Sequence, residues 1–155
     1  MKSILAISLA TLGLVCATQA TAQRADVAVV VNSENPVSGL TLGELRKMFR
    51  GEKHTWPGGT PIKLIARDSE AHEQIVLLKL LRISSADYKQ FWTAQIMRGE
   101  ASGAPVVVPS VGMQKEALEA FRGGITLLDA KDVKPGMKVI RIEGHLPGEA
   151  DYPVR

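Results

Sequence analysis

The sequence predicts an α/β domain in three layers, a sheet between helices, and three observations predict it. Short runs rich in β-branched residues recur at 26–32, 61–66, 105–108 and 125–128. Segments with capping residues or helical apolar spacing lie between them. Gly, Pro and Asn mark the joints. Strands that alternate with helices build a layered sheet of this kind.

Taken in order, Asp26 to Asn32 is an almost unbroken apolar run (Val27, Ala28, Val29, Val30, Val31). It is expected as a buried strand of a parallel or mixed sheet. Asn35-Pro36 breaks it. Thr41-Leu42-Gly43-Glu44 forms a capping box, in which hydroxyl and carboxylate each satisfy a free amide of the first turn. Leu42, Leu45 and Phe49 follow at helical spacing, with Met48 beside them, and Gly51 ends that helix. Trp56-Pro57-Gly58-Gly59 is a turn, and Pro61 to Ala66 is a second strand.

A helix is expected to start near Asp68 or Ser69 and run to about Arg82. Its stretch Ile75 to Leu81 is apolar nearly all round, which calls for deep burial. Ser84-Ser85-Ala86-Asp87 caps another helix, with Tyr88, Trp92 and Ile96 on one face. Gly99 to Gly103 is a loop and Pro105 to Val108 a third strand. Ser110 caps a helix that runs through Phe121-Arg122 and stops at Gly123-Gly124. Ile125 to Leu128 is a fourth strand, and Met137 to Ile142, after the Lys134-Pro135-Gly136 turn, a fifth. The tail 144–155, rich in Pro, Gly and charge, is expected to be flexible.

The first residues have the form of an export signal. Lys2 precedes an apolar run from Ile4 to Val15, about 12 residues, where a spanning helix needs about 20. Ala20-Thr21-Ala22 offers the small side chains a signal peptidase admits, which places cleavage after Ala22. Residues 1–22 are therefore read as signal, 23–143 as the domain and 144–155 as the tail. A lipoprotein signal at Cys16 is disfavoured by the branched Val15 before it. Removal of the signal takes the only cysteine, so neither a disulfide nor thiol chemistry is expected. It also takes Lys2, which lowers the net charge from +3 to +2. That balance gives no reason to expect nucleic acid or a membrane surface as partner, and no further apolar run is long enough to span a bilayer. The expected location is the periplasm.

Ligands on α/β sheets bind at the carboxyl ends of strands, near helix N-termini. That rule singles out Asn32-Ser33, Arg67-Asp68-Ser69 and Pro109-Ser110. Arg67 has a guanidinium that can fork onto phosphate, sulfate or carboxylate, and Ser69 a hydroxyl that can donate. On the residues alone, a solvated strand-end Arg and an ordinary helix cap is the commoner arrangement. Glu70 and Glu73 strengthen it, since they occupy the positive end of the helix dipole. His54, His72 and His145 lack metal-ligand spacing, so no metal and no cofactor is expected. There is no Ser/His/Asp order, paired acid motif or Gly-rich nucleotide loop, and no nucleophile–base pair to make a hydrolase. Trp56, Trp92, Tyr88, Phe49 and Phe91 read as packing rather than as a stacking platform.

Several segments together resemble phosphate ABC transporter substrate-binding proteins. These are Val-Val-Val-Asn, then Leu-Thr-Leu-Gly-Glu-Leu-Arg-Lys-Met-Phe-Arg-Gly (40–51), then Trp56, then Ile-Lys-Leu-Ile-Ala-Arg (62–67). Tyr88 to Trp92 and Gly123-Gly124-Ile125-Thr126 stand where that family has an aromatic helix and a Gly-x-Ile-Gly-Tyr strand. The resemblance spans about residues 27 to 128. It implies one lobe of a type II periplasmic binding protein-like fold and an anion-binding role. Arg67 matches the family's phosphate-binding Arg, and Ser69 the Ser of its binding loop; Asn32 and Ser33 are expected nearby. The family's Gly-Ser-Gly-Thr loop is replaced by Ser69-Glu70-Ala71-His72, so fewer backbone amides can close on an oxyanion.

Two functions follow from this resemblance. One is an exported solute-binding protein that takes phosphate or a similar oxyanion weakly and serves an ABC permease. The other is an exported accessory or protein-interaction module that keeps the lobe without the anion site and works with an envelope sensor or transporter protein.

Overall fold

β1 (Val27–Val31) is buried along its whole length, every residue at 1% exposure or less. Its alternate side chains enter two cores, one on each face of the sheet, which is why the run carries no polar residue. The computed structural model describes residues 25–155. The export signal expected at residues 1–22 lies outside the described residues.

After β1 come β2 (Gly39–Leu40), α1 (Leu42–Phe49), β3 (Lys63–Arg67), α2 (His72–Leu81) and α3 (Ser85–Met97). Then follow β4 (Val106–Val108), α4 (Val111–Ala120), β5 (Gly124–Asp129), β6 (Lys138–Val139) and β7 (Arg141–Ile142). The main sheet has the order β4-β3-β5-β1-β6, and β2 pairs with β7 in a small second sheet. β3 runs parallel to β4 and β5, whereas β1 runs antiparallel to β5 and β6. The sheet is mixed.

Val27, Val29, Val31, Leu64, Ile125 and Leu127 face the larger core, with Leu45, Phe49, Leu77, Leu81 and Trp92 packed on them. Ala28, Val30, Ile65, Val108 and Leu128 face the other, covered by Leu118 of α4. The expected three-layer arrangement is present. No helix among the described residues is long and apolar enough to cross a membrane.

Local chemistry sets the element ends. The Thr41–Glu44 capping box is formed at both of its bonds. Ser84 and Ser110 cap α3 and α4 by accepting from Asp87 N and Met113 N. The aromatic polar atoms reach backbone: Trp56 Nε1 donates to Gly123 O at 2.9 Å, and Tyr88 OH to Phe49 O at 2.8 Å. Gly123 lies so close to the preceding loop that a Cβ would stand 1.8 Å from Pro61 O. This close approach is what that glycine provides.

Three expectations are corrected. The tail 144–155 is not loose. Tyr152 and Val154 are 2% and 1% exposed, Tyr152 OH donates to Val27 O at 2.6 Å, and Val27 N donates to Val154 O at 3.0 Å. Two apolar side chains among the Pro, Gly and charge are enough to anchor it. The fifth strand is two: β6 continues the main sheet beside β1, then β7 turns onto β2, where Arg141 N donates to Ser38 O. α2 starts at His72, later than expected, for a reason given below.

The two buried tyrosines set the alkaline limit of stability. Burial pushes Tyr88 up to about 12 from an ordinary value near 10, and raises Tyr152 as well. The native state therefore keeps protons that the unfolded chain releases. This stabilisation is intact below pH 10 and is lost as pH rises through the window from about 10 to 12. Unfolding free energy is expected to hold level to about pH 9.5. It should then fall by up to about 1.4 kcal/mol per pH unit for each tyrosine. Urea unfolding between pH 8 and 11.5 measures this, and Tyr88→Phe should flatten the decline by about half.

Candidate functional site

Arg67 ends β3. Its side chain is 15% exposed, and Nη1 donates to Glu73 Oε1 at 3.2 Å, whose side chain is 6% exposed. Nε is buried with no partner. The acidic partner is close because of how the chain leaves the strand. Ala71 N donates back to Asp68 O at 3.2 Å, which makes residues 68–71 a turn rather than a first helical turn. Ala71 is then the N-cap of α2 and contributes no side-chain cap bond. Ser69 and Glu70 sit exposed on the turn, outside the helix where they were expected. Glu73 lies in the first turn of α2, at the positive end of the helix dipole and beside Arg67. The position an incoming anion would take beside Nη1 is held by a carboxylate of the chain itself.

Asn32 and Ser33 stand elsewhere. Because β1 is antiparallel to β5, its carboxyl end points the opposite way from that of β3. Asn32 N donates to Gly124 O at 3.1 Å, at the start of β5. The β3–β5 register places Arg67 four residues further on, beside Leu128. The separation is about 13 Å along the strands at roughly 3.3 Å per residue. Asn32 is also committed: Nδ2 donates to Leu118 O at 2.8 Å, and Oδ1 accepts from Glu34 N at 2.9 Å. It pins the end of α4 to the end of β1. The strand-end rule fails here for one strand because that strand is reversed.

Arg67 and Ser69, by contrast, share one groove of about 400 Å³ at the outer edge of the sheet. Its floor is Ala66 and Val107, which are paired across β3 and β4. Its wall is the Tyr88, Trp92 and Ile96 stripe of α3. Arg67, Asp68, Ser69 and Gln74 line one end, Ala104 and Pro105 another part. Lys89 and Thr93 belong to the same lining. The groove exists because α3 outreaches its core: Tyr88 and Trp92 are buried, while Ile96 is 42% exposed and Val107, on the edge strand, 63%. The aromatic stripe was read from the sequence as packing. The signal that it also borders a cavity is the small Ala66 beneath it.

Close by, His72 Nδ1 lies 2.5 Å from Asp129 Oδ1, and Lys131 Nζ 3.6 Å from Asp129 Oδ2. On the α4 face, buried Gln114 donates to Thr126 Oγ1 and Leu127 O, and Thr126 Oγ1 donates to Ile65 O. These bonds hold α4 against β5 and β3. No group of three or more His, Cys, Asp or Glu side chains that could hold a metal occurs among the described residues.

The fold is shared with solved phosphate-transport proteins. An ABC-type phosphate transport receptor of Vibrio cholerae superposes with a TM-score of 0.63 at 20% identity, over 79% of this chain and 48% of that one. A phosphate ABC transporter substrate-binding protein of Clostridium perfringens, solved with bound phosphate, gives 0.62 at 14% identity, over 77% and 46%. PstS of Borrelia burgdorferi gives 0.61 at 19%, over 79% and 49%. The chain thus has the fold of one binding-protein lobe and spans about half the length of these neighbours. No protein-family model and no curated protein matches it.

The Arg67–Glu73 pair makes a stability prediction of its own. Arg67→Ala leaves a buried carboxylate without its cation and is expected to cost about 3 kcal/mol. Adding Glu73→Gln should recover most of that loss. Urea unfolding of the two single variants and the double variant measures the coupling. Additive effects would mean that the pair does not hold this corner of the fold.

Proposed function

We propose that this chain is an exported, periplasmic solute-binding lobe of the phosphate-binding type. In this reading it holds phosphate or a similar small oxyanion at Arg67 and Ser69 and serves an ABC-type uptake system. The observation that carries it is the meeting of Arg67 and Ser69 in one open groove that starts at the carboxyl end of β3 and runs beside β4. The fold shared with phosphate-transport proteins and the N-terminal sequence around Lys2 and Ala20-Thr21-Ala22 support it.

The geometry also bounds the affinity. Nη1 already donates to a carboxylate, and Ser69 is exposed on a turn instead of sitting in a glycine loop. A small ligand in a tight site is buried over roughly 70–90% of its surface, which an open groove does not provide. On this reading the expected affinity for phosphate is weak, about millimolar or roughly −4 kcal/mol.

One observation favours a second reading, in which the lobe is an accessory interaction module: Glu73 fills the place of the anion. Co-purification from the envelope of a sensor or transporter subunit, with no anion present, would support that reading.

A titration decides between them. Phosphate, sulfate and small carboxylates are added while tryptophan fluorescence and melting temperature are followed. Saturable binding near millimolar is expected, with Ser69→Ala weaker. Glu73→Gln should bind roughly tenfold tighter, about 1.4 kcal/mol, because a competing charge is gone. Binding should be absent in the Arg67→Ala/Glu73→Gln double variant, whose folding is checked independently. No response to any anion up to tens of millimolar would sink the proposal.

A further inference from the structure

We infer that the ligand of this groove is an organic anion, an oxyanion head group carried on an apolar body, rather than a bare inorganic ion. The inference rests on the reading that Arg67 and Ser69 bind an oxyanion, and names the class of molecule that carries it.

The polar end of the groove is close to electrically balanced. Arg67 is paired with Glu73 at 3.2 Å, and Asp68 lines the same end. Lys89 makes no ion pair among the described residues and lines the groove one turn along α3 from Ser85. It supplies the free positive charge, and Ser69 a hydroxyl donor. A bare oxyanion there gains one unpaired cation and one hydroxyl and meets the Asp68 charge. Most of its remaining surface would lie in water or against apolar side chains.

The rest of the cavity is built for something else. Its volume of about 400 Å³ lies in the range of organic-ligand pockets, roughly 300–1,000 Å³, which combine apolar walls with a few placed polar groups. A tetrahedral oxyanion fills a small corner of it. Beyond the head-group end, the surface is the Ala66–Val107 floor, the Trp92–Ile96 wall and Pro105. Single exposed apolar residues are ordinary on protein surfaces. Here Ile96 on the wall, at 42% exposure, and Val107 on the floor, at 63%, line one and the same groove. An aryl or branched alkyl group laid along α3 would remove both from water. Its phosphonate, phosphate ester or carboxylate would lie among Arg67, Ser69 and Lys89, with Lys89 adding the charge that Glu73 withholds at Arg67. The apolar body then supplies most of the affinity that the balanced polar end does not.

Isothermal titration calorimetry with inorganic phosphate, methylphosphonate and phenylphosphonate tests this. Phenylphosphonate is expected to bind at least tenfold more tightly than the other two. In an Ile96→Ser/Val107→Ser variant, both changes at exposed positions, that ratio should fall to within about threefold. Lys89→Gln should weaken phenylphosphonate. If phosphate binds and phenylphosphonate binds no better, the oxyanion reading stands and this inference falls. A preference that survives in the serine variant overturns it too, because the apolar body would then lie elsewhere. If none of the three binds, both readings fall together.

Discussion

The antiparallel seam between β1 and β5 is the constraint on which the other features depend. It runs through five register pairs, from Val27 opposite Asp129 to Val31 opposite Ile125. β1 lies between β5 and β6 with helices or loops over both faces, so each of its side chains is enclosed. Fully burying a Val side chain is worth about 1.5–3 kcal/mol, and β5 on the other side of the seam is likewise buried throughout and paired on both edges. The seam feeds both cores at once. It also sets directions, and directions determine what can become a site. The carboxyl ends of β3 and β4 open at one end of the sheet, together with the turn that carries Ser69. The carboxyl end of β1 opens at the other, where Asn32 is spent on holding α4.

At the open end, two kinds of chemistry meet in one groove. The polar part is largely self-satisfied: a guanidinium with its own carboxylate, a turn closed by a backbone bond, and a helix whose first turn already carries an acid. The apolar part has no such closure, because α3 extends past the strands it covers. The fold shared with solved phosphate-transport proteins thus carries here a polar groove end that is largely paired within the chain and an apolar part that is open. Fold likeness at these identities reports the sheet and its helices. It does not report how the charges at the strand ends are arranged.

Much of the architecture was legible because local rules decide it. The Thr41–Glu44 box, the Ser84 and Ser110 caps and the valine runs are short-range signals, and each element stands close to its expected place. What was not legible depends on partners distant in sequence. The direction of β1 is fixed by β5, about a hundred residues away, so nothing local warned that Asn32 would face away from Arg67. The start of α2 slipped because Asp68 and Ser69 suit a turn as well as a cap, and the turn gained the Ala71–Asp68 bond. Glu73 was recognised as an acid at a helix start, but not as the partner that holds Arg67. The tail was misread because its composition suggested mobility, whereas Tyr152 and Val154 are core residues in a polar setting. The groove itself was invisible, since an empty volume leaves no residue pattern except the small Ala66 beneath it.

The bond from Tyr152 to Val27 joins positions 125 residues apart, and it has a consequence for how the chain comes to be folded. β1 emerges first, yet its partners β5 and β6 and the anchor at Tyr152 and Val154 emerge last. Contacts of such sequence separation carry a large loop-closure cost and form slowly. Throughout synthesis the chain therefore exposes Val-Ala-Val-Val-Val, an uncharged β-forming run of the kind that aggregates when left unpaired. Closure of β1 waits on Tyr152 and Val154, so β1 is the segment that a holding chaperone has most reason to shield until that anchor is in place.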